Sequence, residues 1–215
     1  MNKIRVLKEK DVGAIGIGAM IVFISMVLVA GIAASVLIQT SGRLETQAMQ
    51  SGSETVSEVS TGIRVDSVLG YNVSGAVQRL AIEIRPRAGS EEIDLSETVV
   101  ELSDSTTKNL FTYGSNFTQT SAINGDIFAA GFYPNVTGVV FGIIVLEDAD
   151  GSITSTNPII NSGDHVFLTI NATASLGSLS TRVDVTGQVI PEEGSPGVIS
   201  FTTPAAYNKA VVELQ

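Results

Sequence analysis

The 215-residue chain has no cysteine and no tryptophan, and a single histidine. Without cysteine there is neither a disulfide framework nor a thiolate metal site. One histidine, His165, leaves no pair for a histidine-based metal site. It also has no recognisable nucleophile or orienting group in the surrounding GDHVFLTI for a catalytic relay, so it reads as a structural residue at a strand start. Charge is sparse, at 16% of residues, and the formal net charge is −10. No basic stretch is large enough to follow a phosphate backbone, which excludes nucleic acid as a partner. Proline does not occur before Pro86, and no charged residue lies between Val12 and Gly42.

The few charges are unevenly placed. Residues 1–13 carry Lys3, Arg5, Lys8 and Lys10 against Glu9 and Asp11, a net of +2, and the remainder carries −12. A basic head, an apolar run and an acidic body are the order expected of a chain whose start stays in the cytoplasm while its body is exported. The uncharged run is about 30 residues, whereas about 20 cross a bilayer as a helix and a secretory signal has an apolar region of only about 7–15. Beyond it, Leu44, Ala48, Val56, Val59, Ile63 and Val65 recur mainly at helical spacing. One helix is therefore expected from about Ala14 to Val68, with Gly42, Gly52 and Gly62 as kinks or close-packing points. From Ala14 to Ile38 it is apolar all round, so lipid or protein must surround it. Ala30, Gly31, Ala33, Ala34 and Ser35 would let other helices approach closely.

After Gly70 the period changes. LAIEIR (80–85) alternates up to Pro86, and further strands are expected over 93–102, 127–132, 139–146, 165–171, 182–190, 198–203 and 210–214. Turn-formers separate them (RAGSEE, INGD, EDADGS, NSGD, PEEGSPG). This pattern predicts an α+β chain: a long N-terminal helix, then an antiparallel β-sandwich of immunoglobulin-like type. The domain reading is a basic leader over 1–13, a helix over 14–70 and a sandwich over 71–215.

The segment GAIGIGAMIVFISMVLVAGIAASVLIQTSG, Gly13 to Gly42, resembles the archaellins (archaeal flagellins), filament subunits built like type IV pilins. In that family a basic leader precedes a cut after glycine. The mature chain then opens with a small residue and G-I-G, followed by I-V-F-I-x-M-V-L-V-A and A-A-S-V-L-I-x-T-S-G. SEVSTGIRV and the closing GVISFTTPAAYNKAVVELQ extend the likeness. The resemblance implies a cut between Gly13 and Ala14 by a membrane-embedded prepilin-type leader peptidase. It also implies no enzymatic role for the chain. Its partners would be other copies or sister archaellins, a cytoplasmic assembly ATPase and a membrane platform protein. The product is an extracellular swimming filament, the archaellum, whose precursor is held in the cytoplasmic membrane. The filament-core residues would be Ile15, Ile17, Met20, Ile21, Val22, Phe23, Ile24, Val27, Leu28, Val29, Val36, Leu37 and Ile38. One departure stands out: Asp11 and Val12 occupy positions where the family usually has lysine. Gly18 stands at the fifth mature position, where a bacterial-type pilin carries glutamate, and its presence favours an archaellin. The alternatives are an adhesion pilin of the same secretion type and a membrane-anchored surface receptor or hydrolase.

Four N-x-[ST] sequons, at Asn72, Asn116, Asn135 and Asn171, are candidate glycosylation sites, with Asn116 and Asn135, flanked by expected loops, ranked highest. EDADGS places Asp148 and Asp150 as candidate ligands for Ca²⁺ or Mg²⁺. The competing reading of that stretch is a solvated hairpin turn, with no cofactor at all.

Overall fold

The computed structural model describes residues 2–119, 126–129, 133, 136 and 138–215, the side chains of 2–12 and 14 excepted. Two compact units are present, Met1–Ser53 and Glu54–Gln215.

Helix α1 runs over Asn2–Ser60, roughly 90 Å at 1.5 Å per residue. It begins well before the expected Ala14 and stops short of the expected Val68. No proline interrupts it, and three of its hydroxyls are satisfied within it. Ser25 donates to the Ile21 carbonyl at 2.8 Å, Thr40 to Leu37 at 3.0 Å and Thr46 to Gly42 at 2.9 Å, so these polar groups need no external partner. Thr61 N–H makes the last helical bond, to the Ser57 carbonyl at 2.8 Å. Gly62 lies outside the helix, its N–H donating to Ser90 Oγ at 3.3 Å. The β-branched Thr61, Ile63 and Val65 then suit extended backbone.

The second unit holds β1 (Ile63–Val73), β2 (Ala76–Pro86), β3 (Ile93–Asp94), β4 (Val99–Ser103), β5 (Lys108–Gln119), β6 (Val140–Glu147), β7 (Ile159–Ile160), β8 (His165–Asn171), the single turn α2 (Ala172–Ser175), β9 (Asp184–Ile190), β10 (Gly197–Thr202) and β11 (Val211–Glu213). Three strands depart from the expectation: β1 begins inside the stretch expected to be helical, and β5 and β7 lie where no strand is expected. The expected 93–102 strand is two pieces. Between them Ser96 N–H donates to Asp94 Oδ1 at 2.7 Å, and Thr98 Oγ1 donates to the Asp94 carbonyl at 3.0 Å. This local side-chain turn displaces the ladder. The expected 127–132 strand starts as a turn, with Ala129 N–H on the Asp126 carbonyl at 3.2 Å; its last three residues lie outside the described ones.

Nine strands form one hydrogen-bonded order, β10-β9-β4-β5-β6-β8-β2-β1-β11, and β3 pairs with β7. β5 is the corner. Through Phe111 it pairs with β4, and from Thr112 it pairs with β6. A register shift between Tyr113 and Asn116, with Ser115 at φ 56°, turns the strand. The β5–β6 pair is parallel, a departure from the expected all-antiparallel sheet. The rest of the ladders are antiparallel, for example Ile82 opposite Leu168 and Leu102 opposite Gly187. Both halves bury their inward side chains in one core, where Ile63, Leu80, Ile82, Phe141 and Leu168 meet Val100, Leu102, Phe111, Val189 and Ile199. This is the expected sandwich.

A second, smaller cluster roofs the outer face of the β8-β2-β1 half, where Phe128 packs with Ala81, Ile144 and Phe167. Phe128 stacks on Tyr71 and Tyr133 at ring separations of 5.3 and 5.6 Å. Arg79 lies over the same two tyrosine rings and donates to the Phe128 carbonyl at 3.2 Å. Tyr133 OH donates to the carbonyls of Leu80 and Ile170 at 2.9 and 2.8 Å, and burial pushes its pKa upward.

Candidate functional site

The sequence-expected core residues all lie on α1 and all are exposed. Ile15, Ile17, Met20, Ile21, Val22, Phe23, Ile24, Val27, Leu28, Val29, Val36, Leu37 and Ile38 range from 53% to 73% exposure, and Met26 and Ile32 extend the set. At roughly 1.5–3 kcal/mol for each fully exposed large apolar side chain, these fifteen residues, each a little over half exposed, would cost about 14–27 kcal/mol. That matches or exceeds the whole stability of an ordinary domain, about 5–15 kcal/mol. Water is therefore not the working surrounding of this helix. Ile15–Ser60 is long and apolar enough to cross a membrane, by length and composition. Gly13 and Ala14 sit within the helix.

The end of α1 is anchored in the second unit. Thr61 C=O accepts from Ser195 N–H at 2.9 Å, Ile63 N–H donates to the Ser195 carbonyl at 3.1 Å, and Arg87 N–H donates to Gly62 C=O at 2.8 Å. Ser57 Oγ donates to Glu91 at 3.0 Å, and Glu91 N–H donates to Thr61 Oγ1 at 3.4 Å. Gly194, at φ +97°, lies directly against Thr61, where a side chain would collide with the Thr61 carbonyl. Nothing in the local sequence marked this joint except the turn-forming stretch PEEGSPG, whose first glycine is Gly194.

Asp148 and Asp150 do come together, and the fold adds Asp164, with one oxygen of each within 4.8 Å of the others. Asp164 comes from the NSGD turn before β8, and the β6–β8 register, Glu147 opposite His165, delivers it. Oxygens on opposite sides of a Ca²⁺ at about 2.4 Å lie about 4.8 Å apart, so the spacing fits one ion. The same carboxylates also tie the loop. Asp148 accepts from Gly151 N–H at 2.8 Å, and Asp164 from Ala149 and Asn161 N–H at 3.0 and 2.9 Å. Asp150 is held below the usual carboxylate range chiefly by the Ser152 side chain, then by that of Asn161. His165 faces Glu147 at 3.9 Å, in keeping with a structural role.

Of the sequons, Asn72 is the last residue but one of β1, where its Oδ1 accepts from Gly75 N–H at 3.0 Å and sets the hairpin turn. Asn116 sits half-buried in β5, with Nδ2 on the Gly114 carbonyl at 3.0 Å. Asn171 caps α2, and its Nδ2 donates to the Val136 carbonyl at 3.2 Å. Asn135 lies outside the described residues.

A helix that requires lipid or a protein partner, followed by a β-sandwich, defines either a membrane-anchored surface domain or the subunit of a helix-packed assembly. Comparison with known proteins gives the family: the archaeal-type flagellin profile matches residues 13–201, and the chain belongs to that family. It is 48% identical to flagellin B2 of Methanocaldococcus jannaschii over 218 residues, with 100% of both chains covered. It is 37% identical to flagellin B3 of Thermococcus kodakarensis, covering 98% of this chain and 100% of that one. Among solved structures, archaeal flagellin FlaB1 of M. jannaschii superposes with a TM-score of 0.67 at 36% identity, over 72% of this chain and 97% of that one. The archaeal flagellum of Methanospirillum hungatei matches in fold with a TM-score of 0.64 at 18% identity, over 92% and 98%.

Proposed function

We propose that this flagellin is the structural subunit of the archaeal swimming filament, assembled through α1 and transmitting motor torque, with no catalytic role of its own. The observation that carries this reading is the block Ile15–Ile38, exposed on every side. The precursor is stored in the cytoplasmic membrane with residues 1–13 on the inner side. A prepilin-type leader peptidase cuts between Gly13 and Ala14, which removes all six leader charges. Retained, they would enter an apolar bundle, where unpaired charge is costly. The helix then exchanges lipid for helices of other copies. Since lipid supplies no hydrophobic force between helices, close packing at Gly31, Ala33 and Ala34 favours the exchange. An assembly ATPase and a membrane platform protein drive the step. The sandwich forms the extracellular wall and carries glycans at the accessible sequons. The joint at Thr61, Ser195 and Gly194 connects helix to wall and passes strain between them. A Ca²⁺ or Mg²⁺ ion at Asp148, Asp150 and Asp164 braces the β6–β8 loops.

A deletion strain complemented with Ile24→Asp tests the central reading. The expected result is loss of surface filaments and swimming with the precursor still made. Swimming filaments built from Ile24→Asp, or a deletion strain that swims but no longer adheres, overturn it.

A further inference from the structure

The two outer faces of the sandwich differ. The face of the β6-β8-β2-β1 half is roofed by the Phe128 cluster, and all three described sequons lie on strands of that half. Asn72 is on β1, Asn171 ends β8, and Asn116 is on the part of β5 paired with β6. None of the described sequons lies on the opposite face, formed by β10-β9-β4 and the first part of β5. It presents large aliphatic side chains to solvent, Leu110 at 54% and Val198 at 64% exposure. Its strands carry three charges. Glu101 pairs with Lys108 at 2.7 Å, which leaves one, Asp184, a carboxylate that accepts a hydrogen bond from Thr202. On a body of net charge −12 this near-neutral face is the place where two copies can approach without strong like-charge repulsion.

The sheet edge beside it is occupied. The Gln215 side chain lies along β10 like a short strand, with Oε1 accepting from Ser200 N–H at 2.8 Å and Nε2 donating to the Val198 carbonyl at 3.4 Å. Gln215 C=O accepts from Val68 N–H at 3.2 Å. β10 is thus blocked at this stretch from adding a strand of another chain, and association on this side goes through the face.

We infer that the bare β10-β9-β4-β5 face is the contact surface for the wall domain of a second copy of this chain in the filament, while the sequon-bearing half faces solvent. The contact is heterologous, as a helical polymer requires. The inference rests on the filament reading. Because the chain has no cysteine, single variants Leu110→Cys, Val198→Cys and Val73→Cys report position by position. Val73 lies in the β1–β2 hairpin at 36% exposure. Each full-length variant is labelled with a bulky maleimide as intact filaments and again after dissociation. Leu110→Cys and Val198→Cys are expected to label about tenfold or more slowly in filaments than after dissociation, since interface cores exclude reagent as interiors do. Val73→Cys labels alike in both states. Equal labelling of positions 110 and 198 in the two states overturns the proposal. As a second measurement, Leu110→Asp is expected to give folded subunits but shorter, shear-sensitive filaments, and wild-type filaments from that variant also overturn it. Failure of the underlying reading looks different, since Ile24→Asp would then still form filaments whatever the labels show.

Discussion

Gly194→Ala tests whether the joint between α1 and the sandwich is as tightly built as its contacts imply. Gly194 holds φ +97°, and a Cβ there would overlap the Thr61 carbonyl oxygen, 2.5 Å from the carbonyl carbon and 3.0 Å from Thr61 Cβ. The neighbour is backbone, fixed by the Ser195 N–H bond to Thr61 and the Ile63 N–H bond to Ser195, so it cannot rotate away. Left-handed backbone costs an L-residue roughly 1–2 kcal/mol, and overpacking adds about 1–3 kcal/mol. The sum, about 2–5 kcal/mol, corresponds to a fall in Tm of roughly 4–20 °C for a chain of this size. Gly75→Ala is the control. Gly75 has a similar φ, +87°, but nothing within 4 Å of the added Cβ, so only the conformational part remains, about 1–2 kcal/mol. Calorimetry on the full chain in detergent reads both. Hydrogen exchange at Ser195 and Ile63 N–H should accelerate in Gly194→Ala and not in Gly75→Ala. Equal Tm values for the two variants, or unchanged exchange at the joint, refute the reasoning.

Tyr133→Phe should cost about 1 kcal/mol, since its hydroxyl serves two strand carbonyls. The pKa of Tyr133 is raised by burial, so its neutral form is favoured in the folded state. The wild type should therefore lose stability as pH climbs above about 10, the unfolded tyrosine value, and the variant should lose less; identical alkaline slopes contradict this. Ca²⁺ at a hundred times its dissociation constant should stabilise the wild type by about 2.7 kcal/mol, and Asp148→Asn should abolish the gain; no shift with Ca²⁺ or Mg²⁺ removes the cation from the account. Leu102→Ala, in the core between the two halves, should lower stability by about 2–5 kcal/mol in denaturant titration; a loss below 1 kcal/mol would mean the halves do not share that core.

The apolar helix was legible because its signal is composition: no charge interrupts Val12 to Gly42, and no alternative structure uses such a run. Its end was not, because β1 hides its period. A register shift between Val65 and Ser67 places Ile63, Val68 and Gly70 inward, so strict alternation fails and the apolar spacing imitates a helix. β5 escaped for the same reason, its Tyr113–Asn116 irregularity and change of partner breaking the pattern. Strands with an unbroken apolar run or an alternating pattern were legible, β8 to the residue and β6, β9 and β10 within two residues at each end. For the acidic cluster, Asp148 and Asp150 could be read from EDADGS, but Asp164 reaches them only through the β6–β8 register. The joint at Gly194 depends on contacts distant in sequence, which a single sequence does not display.

The most direct measurement is an electron-microscopy reconstruction of the surface filaments at a resolution that traces side chains. The account predicts an axis packed with α1 helices, Ala14 as the first residue of every subunit, and Ile15–Ile38 buried among copies. A filament whose axis is not lined by these helices, or whose subunits retain residues 1–13, would contradict it.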